Sequence, residues 1–171
     1  MIRHVRLPID WSGLGFSDPW DGGAVVVSTG ERAWSWEEEA PRLAVAEAGP
    51  PPPAVPKAGW GIDHVVLLVP DLEDAVAAIG REVRGRTEVR GRSTAFFVVG
   101  TVLEVIEEES VDRPLLHGIA LETSTPLREV ADLWRDAGFD VADPHPAVQP
   151  GREIFSVNAT RAGLAVMTPR T

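Results

Sequence analysis

His64 and Glu104 are the side chains of this sequence best placed to do chemistry. Each interrupts an apolar run, His64 in residues 62–69 and Glu104 in residues 101–106. Side chains alternate across a strand, so spacing decides what each one faces. Val65, Leu67 and Val69 share one face, which leaves His64, Val66 and Leu68 on the other. Glu104 shares its face with Val102 and Ile106. A carboxylate among such neighbours needs a counter-charge, a cation or water, because unpaired burial costs several kcal/mol. An imidazole and a carboxylate are the usual proton-transfer groups. On one surface they are also nitrogen and oxygen donors for Zn, Ni, Mn, Fe or Co. The plainer alternative is a strand-end histidine bonded to Glu104 or to backbone.

Few other groups compete. Cysteine is absent, so there is no disulfide, thiolate nucleophile or Cys-based zinc site. Tyrosine is absent as well. His117 sits beside a second apolar run, 118–123, and points away from His64's counterpart unless a bulge turns it. Glu122 falls on the same parity as Gly118 and Ala120, either at a solvent-facing strand end or as a polar group of the pocket. Trp60, just before the first run, is either an aromatic pocket wall or a core residue. His145, between Pro144 and Pro146, reads as part of an exposed turn, and His4 lies near the terminus.

The elements around these residues repeat. Strand 62–69 stops at Pro70-Asp71-Leu72 and turns into a helix over 72–79, with Gly80 as its stop. A polar stretch, 81–92, holds a short edge strand, and 95–99 turns at Gly100 into 101–106. The same order returns: strand 118–123, helix 127–137, a strand beginning over 139–142, then 154–158 turning at Gly163 into 164–167. Residues 50–53 are four consecutive prolines, a stiff spacer that separates the first 57 residues from the rest. In that first part, 24–28 and 32–36 flank Thr29-Gly30-Glu31 and read as a β-hairpin. The segment is too small for a core of its own, and its tryptophans are expected to dock on the main domain or on a second subunit.

The pattern His64-Val65-Val66-Leu67-Leu68-Val69-Pro70-Asp71-Leu72, with its repeat at Gly118-Ile119-Ala120-Leu121, resembles the vicinal oxygen chelate superfamily of glyoxalases, bleomycin-resistance proteins and extradiol dioxygenases. The resemblance covers residues 61 to 168. It implies an α+β fold in which two βαβββ modules, about 61–108 and 115–169, form a curved sheet around a cavity. The domains expected are 1–57, an N-terminal β-hairpin extension with the proline-rich linker, and 58–171, glyoxalase-like. It also implies a catalytic divalent metal with His64 and Glu104 among its ligands. The third ligand position falls on Gly118, with His117 beside it as a substitute. The fourth falls on Ala165 if Leu103-Glu104-Val105 is matched to Leu164-Ala165-Val166, or on Met167 if the turn glycines are matched. None of Gly118, Ala165 and Met167 is a good ligand for such ions.

The expected function is therefore that of a glyoxalase-like protein binding a small organic molecule, of unassigned activity and with an incomplete metal site. Its pocket would be formed by His64, Glu104, Glu122, Val66 and Trp60, and its cofactor would be none or one divalent ion held by His64, Glu104 and His117. The alternative is a metal-dependent lyase or epimerase of the glyoxalase or methylmalonyl-CoA epimerase kind. A net charge of −10 argues against nucleic acid and anionic membrane as partners, and favours a cationic or aromatic ligand. Lys57 is the sole lysine among 16 basic residues, an arginine bias read as compositional rather than as an anion site. No run approaches the ~20 apolar residues that span a bilayer, and the N-terminus Met1-Ile2-Arg3-His4 lacks an apolar leader, so a cytoplasmic location is expected. The resemblance to the bleomycin-resistance branch, whose members are typically acidic dimers, implies a homodimer.

Overall fold

Ile2, Val5 and Leu7 are fully buried, and they make Ile2–Leu7 a strand, β1. The computed structural model, which describes residues 1–158 and 160–170, continues with β2 (Trp20–Asp21), β3 (Val26–Thr29), β4 (Ala33–Trp36) and β5 (Val55–Pro56). These strands form one sheet in the order β4-β1-β3-β2-β5. The expected hairpin is corrected here. Its two strands form, but β1 lies between them, parallel to β3 and antiparallel to β4. The cause is that β1 buries Ile2, His4, Val5 and Leu7 and takes a partner along each edge. The chain crosses the end of β1, where Gly30 N donates to Leu7 O at 3.0 Å and Arg6 Nε donates to Glu31 O at 2.9 Å. A Cβ at Gly30 would lie 2.6 Å from Arg6 Cδ, so the crossing needs glycine.

The aromatic residues of this segment bury one another. Trp11 and Trp20 lie 5.7 Å apart, and Phe16 packs on Trp20 at 4.8 Å. Phe16 then reaches Trp60 at 5.0 Å, and Trp60 stacks on Trp134 at 5.8 Å. The guanidinium of Arg81 sits over Trp36. The buried apolar side chains of both parts belong to one continuous cluster.

The second sheet begins with β6 (Trp60–Val69), which leads into helix α1 (Leu72–Ile79). Asp71 caps that helix, accepting from Asp74 N at 2.8 Å, and Gly80 ends it in the left-handed region at φ 62°. Strands β7 (Gly85–Val89), β8 (Arg92–Val98) and β9 (Val102–Glu107) complete the first module. The second consists of β10 (Leu115–Thr123), α2 (Leu127–Asp136), β11 (His145–Pro146), β12 (Glu153–Val157) and β13 (Gly163–Met167). The strand expected from Phe139 is reduced to a bridge between Val141 and Val157, and the edge strand falls at His145–Pro146 instead. Prolines 144 and 146 cannot donate to a ladder on both sides, which confines the segment to the edge.

The eight strands form a curled half-barrel in the order β11-β12-β13-β10-β6-β9-β8-β7. The modules join inside one chain, through antiparallel pairing of their first strands β6 and β10. Val65, Leu67, Val69, Leu103 and Val105 have no exposed surface, and α1 packs on β8 and β9 while α2 packs on β12. Each such side chain contributes about 1.5–3 kcal/mol by leaving water. The helices thus take one face of the sheet and leave the other, concave face to the polar residues.

Candidate functional site

A one-residue bulge builds the site. His64 lies opposite Ala120 and Ile62 opposite Leu121, so Asp63 is the extra residue on β6. A bulge places two consecutive side chains on one side of a strand and shifts the alternation beyond them. Asp63 therefore joins His64 on the concave face, while Ile62 and Trp60 turn to the helix side. Trp60 packs between Phe16 and Trp134, which corrects its expected place in the pocket wall. Val66 keeps the expected parity, half-buried and paired with Glu104 and Gly118.

His64 stands between two carboxylates. Its Nδ1 is 2.7 Å from Asp63 Oδ2, and its Nε2 is 3.1 Å from Glu104 Oε2. Asp63 in turn accepts from Arg152 Nη2 at 2.7 Å and from Arg170 at 3.3 and 3.4 Å. Arg152 Nε and Nη2 also donate to Thr168 O, at 2.8 and 2.6 Å. Glu122 Oε2 lies at the margin of this group, 3.9 Å from Arg152 Nη2. The side chains of Asp63 and Arg152 are 1% and 6% exposed, whereas His64 and Glu104 each keep 15%.

The charges follow from these contacts. Burial opposes ionisation of Asp63, but the hydrogen bonds from His64, Arg152 and Arg170 outweigh it and hold the carboxyl far below the usual range. Burial likewise disfavours a charged His64. The hydrogen bonds to Asp63 and Glu104, and the charge on both, override it and push the imidazole up to about 9. At neutral pH His64 is thus an imidazolium with both N–H groups engaged.

The second module repeats the geometry without the donors. In the first, Val66 pairs with Glu104 and His64 with Val102; in the second, Ala120 pairs with Ala165 and Gly118 with Gly163. The register sets Gly118 in the place of His64 and Ala165, rather than Met167, in the place of Glu104. A side chain at Gly118 is excluded, since its Cβ would lie 2.0 Å from Gly163 O. His117 is the counterpart of Asp63, the extra residue between the Leu116–Leu67 and Gly118–Val66 pairs. The bulge turns its ring over Gly163, where a Cβ would meet Nε2 at 2.6 Å, and not toward His64 and Glu104. There burial, with Arg32 and Arg92, pushes its pKa down against the pull of Glu108. As a third metal donor, His117 is therefore misplaced. Among the described residues no three His, Cys, Asp or Glu side chains converge as a metal-holding group. The donor set does not fit a catalytic divalent ion, which takes at least three protein ligands.

The array borders a cleft of about 500 Å³ on the concave face. Phe96, Val98 and Val102 supply its apolar wall, and Arg84, Arg152 and Arg170 line it beside His64 and Glu104. A neighbouring depression of about 460 Å³ shares Asp63, Val98, Val102 and Arg170 with it and extends to Glu122. Asp63, Phe96 and the three arginines were outside the expected site. Asp63 carried a usable signal, a second polar residue breaking a strand's alternation next to His64. The arginines carried none, because loop residues have no parity to read.

No family model matches this sequence, and no curated protein does. Solved structures do resemble its fold. Methylmalonyl-CoA epimerase from Mycobacterium tuberculosis is 16% identical, with a TM-score of 0.53 over 65% of this chain and 89% of that one. A hypothetical protein from Bacillus halodurans C-125 is also 16% identical, with a TM-score of 0.54 over 67% and 97%. A selenomethionine form of methylmalonyl-CoA epimerase gives 16% and 0.50 over 64% and 95%. At such identities the likeness is one of architecture: this chain has the glyoxalase-like fold.

Proposed function

We propose that the protein binds a small organic molecule in the concave cleft, beside the Asp63–His64–Glu104 array. The observation that carries this reading is the combination of a built ionic array with an open apolar wall. Binding sites of small molecules are concave, mostly apolar and furnished with a few fixed polar groups. A cleft of about 500 Å³ is within the range such ligands use. His64 is held from both sides, so it offers a fixed charge rather than a mobile one. The same reading takes the protein as a cytoplasmic homodimer, which cell fractionation and light scattering test. No described helix is long and apolar enough to cross a membrane.

The alternative is a divalent-metal lyase or epimerase. It draws on the fold likeness and on Asp63 behind His64 Nδ1, since a carboxylate commonly orients a metal-bound histidine in this way. It would need two further donors where this chain has Gly118 and Ala165.

A thermal-shift screen of small aromatic and carbonyl compounds, followed by amide NMR mapping, tests the proposal. Binders are expected to move the resonances of His64, Phe96 and Val102. A screen without binders, or binders that leave those residues unmoved, would sink it.

A further inference from the structure

We infer that the ligand of this cleft is an organic carboxylate, with Arg152 as the fixed guanidinium that receives it and Arg84 and Arg170 as mobile partners. The inference rests on the small-molecule reading above and adds the chemical class. It starts from a local reversal of charge. The chain carries a net −10, yet three arginines line this cleft against the carboxylates of Asp63 and Glu104. Asp63 is already neutralised by its own partners, His64, Arg152 and Arg170. Within low-dielectric walls such a focus of positive charge draws an anion that the rest of the surface repels.

Arg152 is the anchor. Its Nε and Nη2 are committed to Thr168 O and Asp63 Oδ1, so the guanidinium plane is fixed. Its Nη1 has no hydrogen-bond partner among the described residues, and the side chain lines the cleft. A guanidinium held this way has lost its rotamer freedom before the ligand arrives, so binding costs less entropy.

Arg84 and Arg170 are held more loosely. Both side chains are more than half exposed; that of Arg84 pairs among the described residues only with Glu82, at 3.2 and 3.3 Å, and that of Arg170 reaches Asp63 at 3.3 and 3.4 Å. Exposed pairs of this kind contribute little, so each arginine can turn to an incoming anion at small cost.

The body of the ligand is set by the opposite wall. Val98 is 61% exposed despite its apolar side chain, next to Phe96 and Val102. An aromatic or branched aliphatic group would cover that surface while its acid group meets Arg152. A monoanion suits the site better than a phosphate dianion, because Glu104, paired with Phe96 in the ladder, also lines the cleft and repels the second charge.

The test uses the full chain and three probes, 3-phenylpropionate, 3-phenylpropionamide and phenyl phosphate, by calorimetry and amide NMR. The acid is expected to bind about tenfold or more tighter than the amide, since a site built to bond a charged group rejects its neutral analogue. Arg84→Gln and Arg170→Gln are each expected to weaken the acid severalfold and leave the amide unchanged. Added salt should reduce only the acid's affinity. Equal binding of acid and amide at Phe96 and Val102 would overturn the carboxylate assignment and leave the small-molecule reading standing. Tighter binding of phenyl phosphate would overturn it in favour of a phosphorylated ligand. Failure of all three probes, with no binder in the wider screen either, would overturn both.

Discussion

Arg152 and Asp63 stand 89 residues apart in the chain, and Nη2 of the first donates to Oδ1 of the second at 2.7 Å with both side chains buried. The pair ties the loop before β12 to the bulge of β6, and so joins the two modules at their concave face. Asp63 also pairs with His64, whose other nitrogen meets Glu104. Removing any member leaves a neighbour without its counter-charge.

The first expectation is for stability. A buried ion pair adds little over an apolar pair of the same shape, but breaking one leaves an uncompensated charge and costs about 3–5 kcal/mol. Asp63→Ala and Arg152→Ala should each lose about that much in urea unfolding, by the same reasoning. The double variant Asp63→Ala/Arg152→Met should lose less than the sum of the two. Additive losses would mean that the two side chains do not act as a pair.

The second concerns pH. His64 has an ordinary value of 6.5, and in the fold it is pushed up to about 9. The folded state therefore holds this proton more tightly than the unfolded state. Its contribution is fully present below about 6.5 and is lost as pH rises through about 9. Asp63 shifts the other way: its contribution is present above the unfolded carboxylate value of 3.8 and is lost only as pH falls toward the depressed folded value. Urea midpoints should decline between neutral and alkaline pH, and His64→Gln should flatten that decline. An NMR titration of the His64 ring with a midpoint near 6.5 would contradict the geometry.

Divalent ions are expected to leave the protein unmoved. Thermal shift with zinc, nickel, manganese or cobalt, and before and after chelation, should show no specific change, because His64 offers no free nitrogen and Gly118 and Ala165 offer no donor. Stabilisation that disappears in both His64→Ala and Glu104→Ala would return the metal-dependent reading.

Gly118 gives a separate check on the register. A methyl group there would lie 2.0 Å from Gly163 O, a backbone atom that cannot rotate away. Gly118→Ala should cost at least about 1–3 kcal/mol, the usual range for overpacking. Ala165→Ser, in the open counterpart position of Glu104, should be close to neutral. A benign Gly118→Ala would mean that β10 and β13 are not paired in this register.

Strand parity made part of the site legible. His64 and Glu104 fall on one surface because alternation is a local property, and the structure sets them 3.1 Å apart. The bulge was only partly legible: Asp63 breaks the alternation beside His64, but Trp60, Ile62 and His64 stay evenly spaced in the chain and do not show that one residue is extra. Trp60, which the sequence left as either pocket wall or core residue, packs in the core. Arg152 and Arg170 reach Asp63 across 89 and 107 residues, a contact that only the closed sheet creates. In the N-terminal segment the flanking strands of the hairpin were readable and their partner was not, because Arg3, His4 and Arg6 mask the alternation of β1.

The last expectation concerns that segment. We take residues 1–57 as an extension that folds with the rest and not as an independent unit. Phe16 is nearly buried against Trp60 and Trp20, Ile2 N donates to Val99 O at 2.8 Å, and the buried apolar side chains of both parts are continuous. Removal of residues 1–57 would uncover Trp60, together with Ile62, which packs within van der Waals range of Gly22. Calorimetry of the full chain should therefore show a single cooperative transition. Phe16→Ala should lower it as a whole, by about 3–5 kcal/mol at the site of a large buried aromatic. Residues 58–171 alone should unfold at a lower temperature, with Trp60 fluorescence shifted toward that of a solvated indole. Two separated transitions in the full chain, or a shortened chain as stable as the whole, would instead make the N-terminal sheet a domain in its own right.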